Sequence, residues 1–288
     1  MSTFDGRVAL VTGASRGIGA ATAVALAAEG CAVACAARST ADAPQRTPGT
    51  LDETVARITD AGGHARSIPT NLADPDEVAA MVDRTVEQFG RLDFLINNAA
   101  VTFVGDLDIP RHRYELVMAV NTTAPLVAMQ RAVPHLRSAG GGAIVNVSSV
   151  AALHPYPGLM AYGMSKAALE RATVDVARQV QGDGIAANVF RVDVPVASEG
   201  FVANTPGVDR STWEPCEVAA EGIVWLLQQP VTFSGRLCSM WALRRDHGIM
   251  ASRAADPAGQ LPPPQAATSG LVETDPARDV FEEPYADD

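Results

Sequence analysis

The sequence predicts an α/β protein: a doubly wound, parallel, seven-stranded sheet with helices on both faces. Three observations lead there. Short apolar runs alternate with longer helical patterns through most of the chain. The runs lack a polar/apolar alternation, as expected of parallel strands covered on both sides. A glycine-rich turn joins the first run to the first helical pattern, the arrangement of a dinucleotide-binding βα unit.

The first strand is RVALVT (7–12), and TGASRGIG (Thr12–Gly19) leads from it into a helix over 17–29. Gly13, Gly17 and Gly19 permit a tight turn, close approach of a pyrophosphate, and close packing of helix on sheet. The free N–H groups of the helix start favour phosphate. The second strand, CAVACAA (31–37), is followed by STADAPQRTPGT (39–50), whose Pro and Gly content predicts an ordered loop before a helix over 51–61. Next come HARSIP (64–69), a helix over 75–89, LDFLIN (92–97), and a long helix over 111–137 that Pro125 and Pro134 should kink or divide. AIVNVS (143–148), a helix over 161–181, IAANVF (185–190), a helix over 215–228, and a last strand GRLCSMW (235–241) complete the pattern. One domain over 1–250 is expected. Residues 251–288 carry eight acidic residues against two arginines and are rich in Ala and Pro, so a mobile tail, or one packed across a neighbouring subunit, is expected.

With 288 residues, 47% of them hydrophobic, the chain can bury a large core. The net charge of −11 argues against nucleic acid or an anionic membrane as main partner. Cys31, Cys35, Cys216 and Cys238 match no zinc or redox spacing, so buried free thiols and no metal site are expected. MSTFDGRVAL has no basic-then-apolar leader, which suggests a cytoplasmic protein. The apolar stretch 20–37 is broken at Glu29-Gly30 and reads as helix then strand, not a membrane span.

The choice of dinucleotide turns on the end of the second strand, where an NAD site usually carries an acid for the ribose 2′-OH. Here Ala37 and Arg38 stand instead. Arg16 and Arg38 could hold a 2′-phosphate by bidentate, charge-assisted bonds, with Ser39 as a further donor. NADP(H) is therefore the expected cofactor, with NAD(H) possible.

TGASRGIG, NNAA (97–100), Asn121, Ser148-Ser149 and YGMSK (162–166) follow in this order, and Lys166 is the sole lysine of the chain. Ser149 precedes Tyr162 by 13 residues, Lys166 follows it by four, and Asn121 lies 28 before the serine. On these motifs the chain resembles the short-chain dehydrogenase/reductase family, in its one-domain branch, over about residues 5–240. The resemblance implies a Rossmann fold and a catalytic tetrad of Asn121, Ser149, Tyr162 and Lys166. It implies a cofactor site made of Gly13, Ser15, Arg16, Gly17, Ile18, Gly19, Arg38, Ser39, Asn71, Leu72, Asn98, Ala99, Tyr162, Lys166 and Val196. Tyr162 and Lys166 share one helix face. A nearby ammonium can lower a tyrosine pKa from about 10, and arginine could not pass on a proton. In the family's scheme Ser149 bonds the substrate oxygen, Asn121 holds a water linked to Lys166, and Lys166 also holds ribose hydroxyls.

The chain departs from the family in places. Ala100 replaces a usual glycine, so the backbone there must avoid positive φ. Asn71 replaces a usual aspartate near the adenine. RVDVPVASEG (191–200) has Val192-Asp193 for the usual Pro-Gly, and Pro195, which lacks an N–H, falls near the carboxamide position. A one-residue bulge would bring Val196 there and Ser198 to the usual threonine. The last strand lacks the family's glycine-rich ending, so subunit contacts there are expected to differ. Substrate walls are expected from 101–104, 150–160 and a lid at about 197–215, with Phe201, Val202 and Trp213 giving apolar bulk. That pattern suits a lipophilic ketone or alcohol. The family implies a homotetramer, or a homodimer if the altered end removes one interface. The alternative is a dinucleotide-binding regulator with little turnover.

Overall fold

The computed structural model describes residues 3–263. Its seven strands are β1 (Val8–Thr12), β2 (Ala32–Ala37), β3 (Ala65–Pro69), β4 (Phe94–Asn97), β5 (Gly142–Ser149), β6 (Ile185–Val192) and β7 (Leu237–Ser239). All pairings are parallel, in the order β3-β2-β1-β4-β5-β6-β7. The order reverses between β1 and β4, and that switch point opens a crevice at the carboxyl ends of the strands.

Alternate residues of one strand serve opposite cores. Ala9 and Val11 of β1 pack with α1 (Gly17–Ala28), α2 (Leu51–Asp60) and α8 (Cys216–Leu227). Leu10 packs on the other face with α3 (Pro75–Phe89), α5 (Ala124–Ser138) and α6 (Met160–Val180). Hence the strands read as unbroken apolar runs. Local chemistry sets the helix ends. Thr50 and Glu53 form a reciprocal capping box on α2. Asp74 caps α3 with Pro75 in its first turn, and Gly90 ends it in the left-handed region.

The expected long helix over 111–137 is α4 (Arg111–Met118), a π-helical turn Ala119–Thr123, and α5. The division precedes Pro125, whose missing N–H interrupts the ladder of a continuous helical run where it passes through the π turn. Pro134 lies inside α5 without ending it. A short α7 (Glu199–Asn204) follows β6.

The expected strand over 235–241 is the largest revision. β7 stops at Ser239, whose hydroxyl accepts from Ala242 N and starts α9 (Met240–His247). A boundary at 250 also divides a continuous set of contacts. Residues 251–263 return to their own subunit, with Asp256 N donating to Ser211 O (2.7 Å) and Gln260 Nε2 to Thr212 O (2.9 Å). The rest of the acidic tail lies outside the described residues. The four cysteines are free, and burial pushes their thiols up to about 12, so they are packing groups rather than nucleophiles. Among the described residues no helix is long and apolar enough to cross a membrane.

Candidate active site

The glycine turn lies at the switch point. A Cβ on Gly19 would strike the Gly13 carbonyl and the Asn98 side chain, and one on Gly13 would lie 2.8 Å from Asn98 Nδ2. Only glycine lets α1 start this close to β4. Asn98 secures the turn, its N donating to Thr12 Oγ1 (3.0 Å) and its Nδ2 to Thr12 O (2.9 Å); Ala99 N also donates to Thr12 Oγ1 (3.2 Å). Asn98 and Ala99 thus clamp the cradle itself. The first turn of α1, Gly17 to Gly19, has no side-chain cap from Arg16. Ala100 avoids positive φ: Met250 is the non-glycine residue with positive φ among those described.

The loop 39–50 packs directly on this cradle. A Cβ on Gly49 would come within 2.6 Å of Ser15 O. Arg16 donates through Nε to Pro48 O (2.6 Å) and through Nη2 to Gly49 O (2.7 Å). Ser39 is buried and donates to Gly49 O (2.8 Å). Two of the residues expected to face a phosphate therefore hold the loop first. Arg38, at the end of β2, is exposed beside the buried Ala37. Thr70 N bonds Ala37 O (2.9 Å), which brings Asn71 and the buried Leu72 to the same edge. Asn71 Oδ1 accepts from Ala73 N (3.3 Å).

The expected tetrad converges at the ends of β5 and α6. Ser149 ends β5, its Oγ accepting from Ala151 N (3.2 Å), and its side chain is hydrogen-bonded to Tyr162. Lys166, one turn below Tyr162, is buried and donates to Val147 O (2.7 Å). Its ammonium lies 5.7 Å from the Tyr162 ring centroid. Burial lowers its pKa to about 8, while the Glu170 carboxylate favours its charge. Tyr162 departs from expectation. Burial raises its pKa, and the bond to Ser149 only partly offsets this. The Lys166 ammonium, engaged with Val147 O, is not what opposes that burial; the Ser149 bond is. Asn121, in the π turn, is fully buried. Its Nδ2 donates to Val101 O (2.9 Å) and Ser165 Oγ (3.0 Å), and its Oδ1 accepts from Val101 N (2.8 Å). That side chain clamps the loop after β4 to α6.

Two further groups continue the Tyr162–Lys166 line. Glu170, another turn along α6, accepts from Ser148 Oγ (2.7 Å) and from Arg191 Nε (2.9 Å) and Nη2 (2.7 Å). Arg191 is fully buried in β6, paired with Ser148 in register. The signal for this pair was an arginine inside an apolar strand: a buried guanidinium needs a carboxylate partner.

After β6 the chain turns back over the cradle. Glu214 N donates to Pro195 O (2.8 Å), and Ala197 N donates to Glu214 O (2.8 Å). These bonds bracket Val196 in a parallel bridge, so its own amide faces away from Glu214. Ser198 caps α7 and reaches the glycine turn: a Cβ on Gly17 would sit 3.1 Å from its Cβ. Phe201 stacks on Trp213 (centroids 4.6 Å apart), and the Arg210 guanidinium lies 5.6 Å from the Trp213 ring centroid. Loops 101–110 and 153–159 meet through Gly105 N and Gly158 O (3.0 Å), leaving Val104 and Tyr156 exposed. His154 packs edge-on to Tyr156 (4.9 Å).

The family model for short chain dehydrogenases matches residues 7–195. Hydroxysteroid dehydrogenase-like protein 2 of Xenopus tropicalis is 29% identical over 244 residues, 83% of this chain. The chain spans 58% of that relative's length. The 2-(R)-hydroxypropyl-CoM dehydrogenase of Xanthobacter autotrophicus is 32% identical over 79% of this chain and 93% of its own. Among solved structures, a short chain dehydrogenase from Burkholderia cenocepacia in complex with NADP superposes with a TM-score of 0.73 at 32% identity, covering 82% of this chain and 97% of its own.

Proposed function

The chain belongs to the short-chain dehydrogenase family, and on that premise we propose that it is an NADP(H)-dependent oxidoreductase interconverting a lipophilic ketone and a secondary alcohol. The observation that carries the reading is the bonded Ser149–Tyr162 pair above the buried Lys166. The cradle fits a dinucleotide: Gly13 and Gly19 let the turn close tightly on Asn98 and Ala99, and the uncapped start of α1 suits phosphate. Its holders would be the turn Gly13–Gly19 with Ser15 and Ile18, Arg38 with Arg16 at a 2′-phosphate, Asn71 and Leu72 at the adenine edge, and the Val196 amide at the other end. The NADP in the solved relative supports this choice.

A bound nicotinamide dinucleotide supplies or takes up the hydride. Tyr162 gives its proton to the substrate oxygen in reduction and takes it back in oxidation. A raised tyrosine pKa keeps that proton in place until alkoxide charge develops. Ser149 donates to the same oxygen. Lys166 leaves Val147 O to hold ribose hydroxyls and to supply the charge that lets Tyr162 release its proton. Since the Asn121 side chain is engaged at both ends, its backbone carbonyl holds the proton-relay water. The Phe201–Trp213 stack, Val104 and Tyr156 form an apolar wall for the substrate. The faces of α5, with exposed Leu126, and α6, with Ala167, Ala168 and Ala172, serve assembly as a homotetramer or homodimer, which light scattering would measure. Four free thiols, three of them buried, support a reducing compartment such as the cytoplasm.

The test is NADPH oxidation with a panel of hydrophobic ketones, wild type against Tyr162→Phe. Turnover lost in the variant supports the reading. Tight dinucleotide binding without turnover in the wild type would favour a regulator instead.

A further inference from the structure

The segment 193–198 carries the amide assigned above to the cofactor, yet it lacks the Pro-Gly turn of its relatives. Its supports come from the far end of the chain. Asp193 Oδ1 accepts from Trp241 N (3.0 Å) at the first turn of α9, and its carboxylate also bonds the side chain of Ser239, the residue that starts that helix. Glu214 makes the second connection with both of its parts. Its backbone brackets Val196. Its carboxylate, with a fully buried side chain, accepts from Arg244 Nη2 (2.8 Å), Gln260 Nε2 (2.7 Å) and Arg253 N (2.9 Å). Arg244 in turn donates to Met250 O (2.7 Å) and Gln260 Oε1 (2.9 Å).

We infer that α9 and the strap 248–263 position the cofactor-facing segment, with Asp193 and Glu214 as positioning residues. The physical reason is the buried carboxylate. With the strap closed, Glu214 is satisfied by four donors, the Ser252 side chain being the fourth. With the strap open, it would lose Ser252, Arg253 N and Gln260 and keep only Arg244 of α9, which is unfavourable for a carboxylate held in this buried position. A Glu214 carboxylate freed from the strap would be drawn toward water, and that pull falls on the same residue whose backbone bonds hold Pro195 and Ala197. Strap closure and the orientation of the Val196 amide are therefore one equilibrium. Asp193 acts likewise at the start of α9: its bond to Trp241 N ties the first residue past β6 to a helix that the revised end of the sheet created. Two departures from the family pattern, one at 192–193 and one after β7, thus compensate each other.

The inference rests on the proposed dinucleotide site, so the experiment has an arm that does not. Amide hydrogen exchange is measured over residues 193–205 in cofactor-free wild type, Arg244→Ala, Arg244→Lys and the milder Gln260→Ala. Faster exchange confined to 193–205 and the strap in Arg244→Ala, with β1 to β3 unchanged and Arg244→Lys intermediate, supports the coupling. Unchanged exchange at 193–205 in both alanine variants overturns it, whatever the cofactor does. If Arg244→Ala fails to fold, Gln260→Ala decides alone. The second arm titrates NADPH and separates kcat from KM. A rise of about tenfold in the NADPH dissociation constant, with kcat also lowered, is expected for Arg244→Ala. A loss of Tm with unchanged affinity and kcat well below Tm would make the strap structural only and overturn the positioning role. Absence of dinucleotide binding in the wild type would instead overturn the proposed function, leaving the exchange arm to judge the coupling.

Discussion

The two ends of the crevice are built in opposite ways. At the adenosine end the shape comes from atoms that are missing: Gly13, Gly19 and Gly49 stand where a Cβ would collide with backbone or with Asn98. Its contacts join one loop to another, as Arg16 does with Pro48 and Gly49, and Asn98 with Thr12, mostly through backbone groups. At the nicotinamide end the shape comes from buried carboxylates paired with guanidinium groups: Glu170 with Arg191, and Glu214 with Arg244. The first end is a steric construction closed by side-chain bonds to backbone carbonyls. The second is electrostatic, and removing one partner leaves a buried charge. The lesson is that a site can be rigid for two reasons, and each responds to a different kind of substitution.

The largest effect should come where the electrostatic end meets the chemistry. Tyr162→Phe is expected to lower turnover about 10²- to 10⁴-fold, with cofactor affinity within about twofold by titration, since the hydroxyl alone is removed. Next is Glu170→Gln. Leaving Arg191 buried without its carboxylate should cost about 3–5 kcal/mol in urea denaturation, against little for substitutions at the exposed Arg111–Glu115 pair.

The same residue sharpens the comparison through pH. Lys166 titrates at about 8, so its ammonium is lost as pH rises through that value, and kcat/KM for ketone reduction should fall above it. Glu170 favours that ammonium, so Glu170→Gln should move the falling limb to lower pH. A limb that stays in place would separate Glu170 from the catalytic line. For stability the sign is reversed. The unfolded lysine keeps its proton to about 10.4. Between about 8 and that value the unfolded chain binds more protons than the folded one, so this group's contribution to stability rises with pH.

At the adenosine end the expected effects are smaller and selective. Arg38→Ala should weaken NADPH about ten- to hundredfold and leave NADH almost unchanged. Ala37→Asp combined with Arg38→Ala should invert the preference toward NADH, because a carboxylate repels the phosphate and accepts from the free ribose hydroxyl. Equal weakening of both cofactors by Arg38→Ala would remove Arg38 from the phosphate site. Arg16→Ala should act differently, loosening the loop 39–50 as well, so its NADPH loss should come with faster proteolysis of that loop. The smallest change is Thr50→Ala, which removes half of the α2 capping box and should cost about 1 kcal/mol by denaturant titration, with turnover unaffected.

The sequence by itself determined the sheet, six of the helical regions and the glycine turn, and it nominated the tetrad. Each of these is written in short-range patterns: apolar runs for strands buried on both faces, Thr50-x-x-Glu53 and Asp74-Pro75 for helix starts, and the spacing from Asn121 to Lys166. Only the tertiary structure decided the rest. That Arg16 and Ser39 hold a loop, that Lys166 rests on Val147 O while Tyr162 is raised, and that Ser239 converts the end of a strand into α9 all depend on which groups meet after folding. Glu170 with Arg191, and Glu214 with Arg244, are pairs separated by 21 and 30 residues. A buried charge announces that it needs a partner, but its identity is set by the sheet order and by how the last segment returns, because a guanidinium can pair with any carboxylate that packing brings within reach.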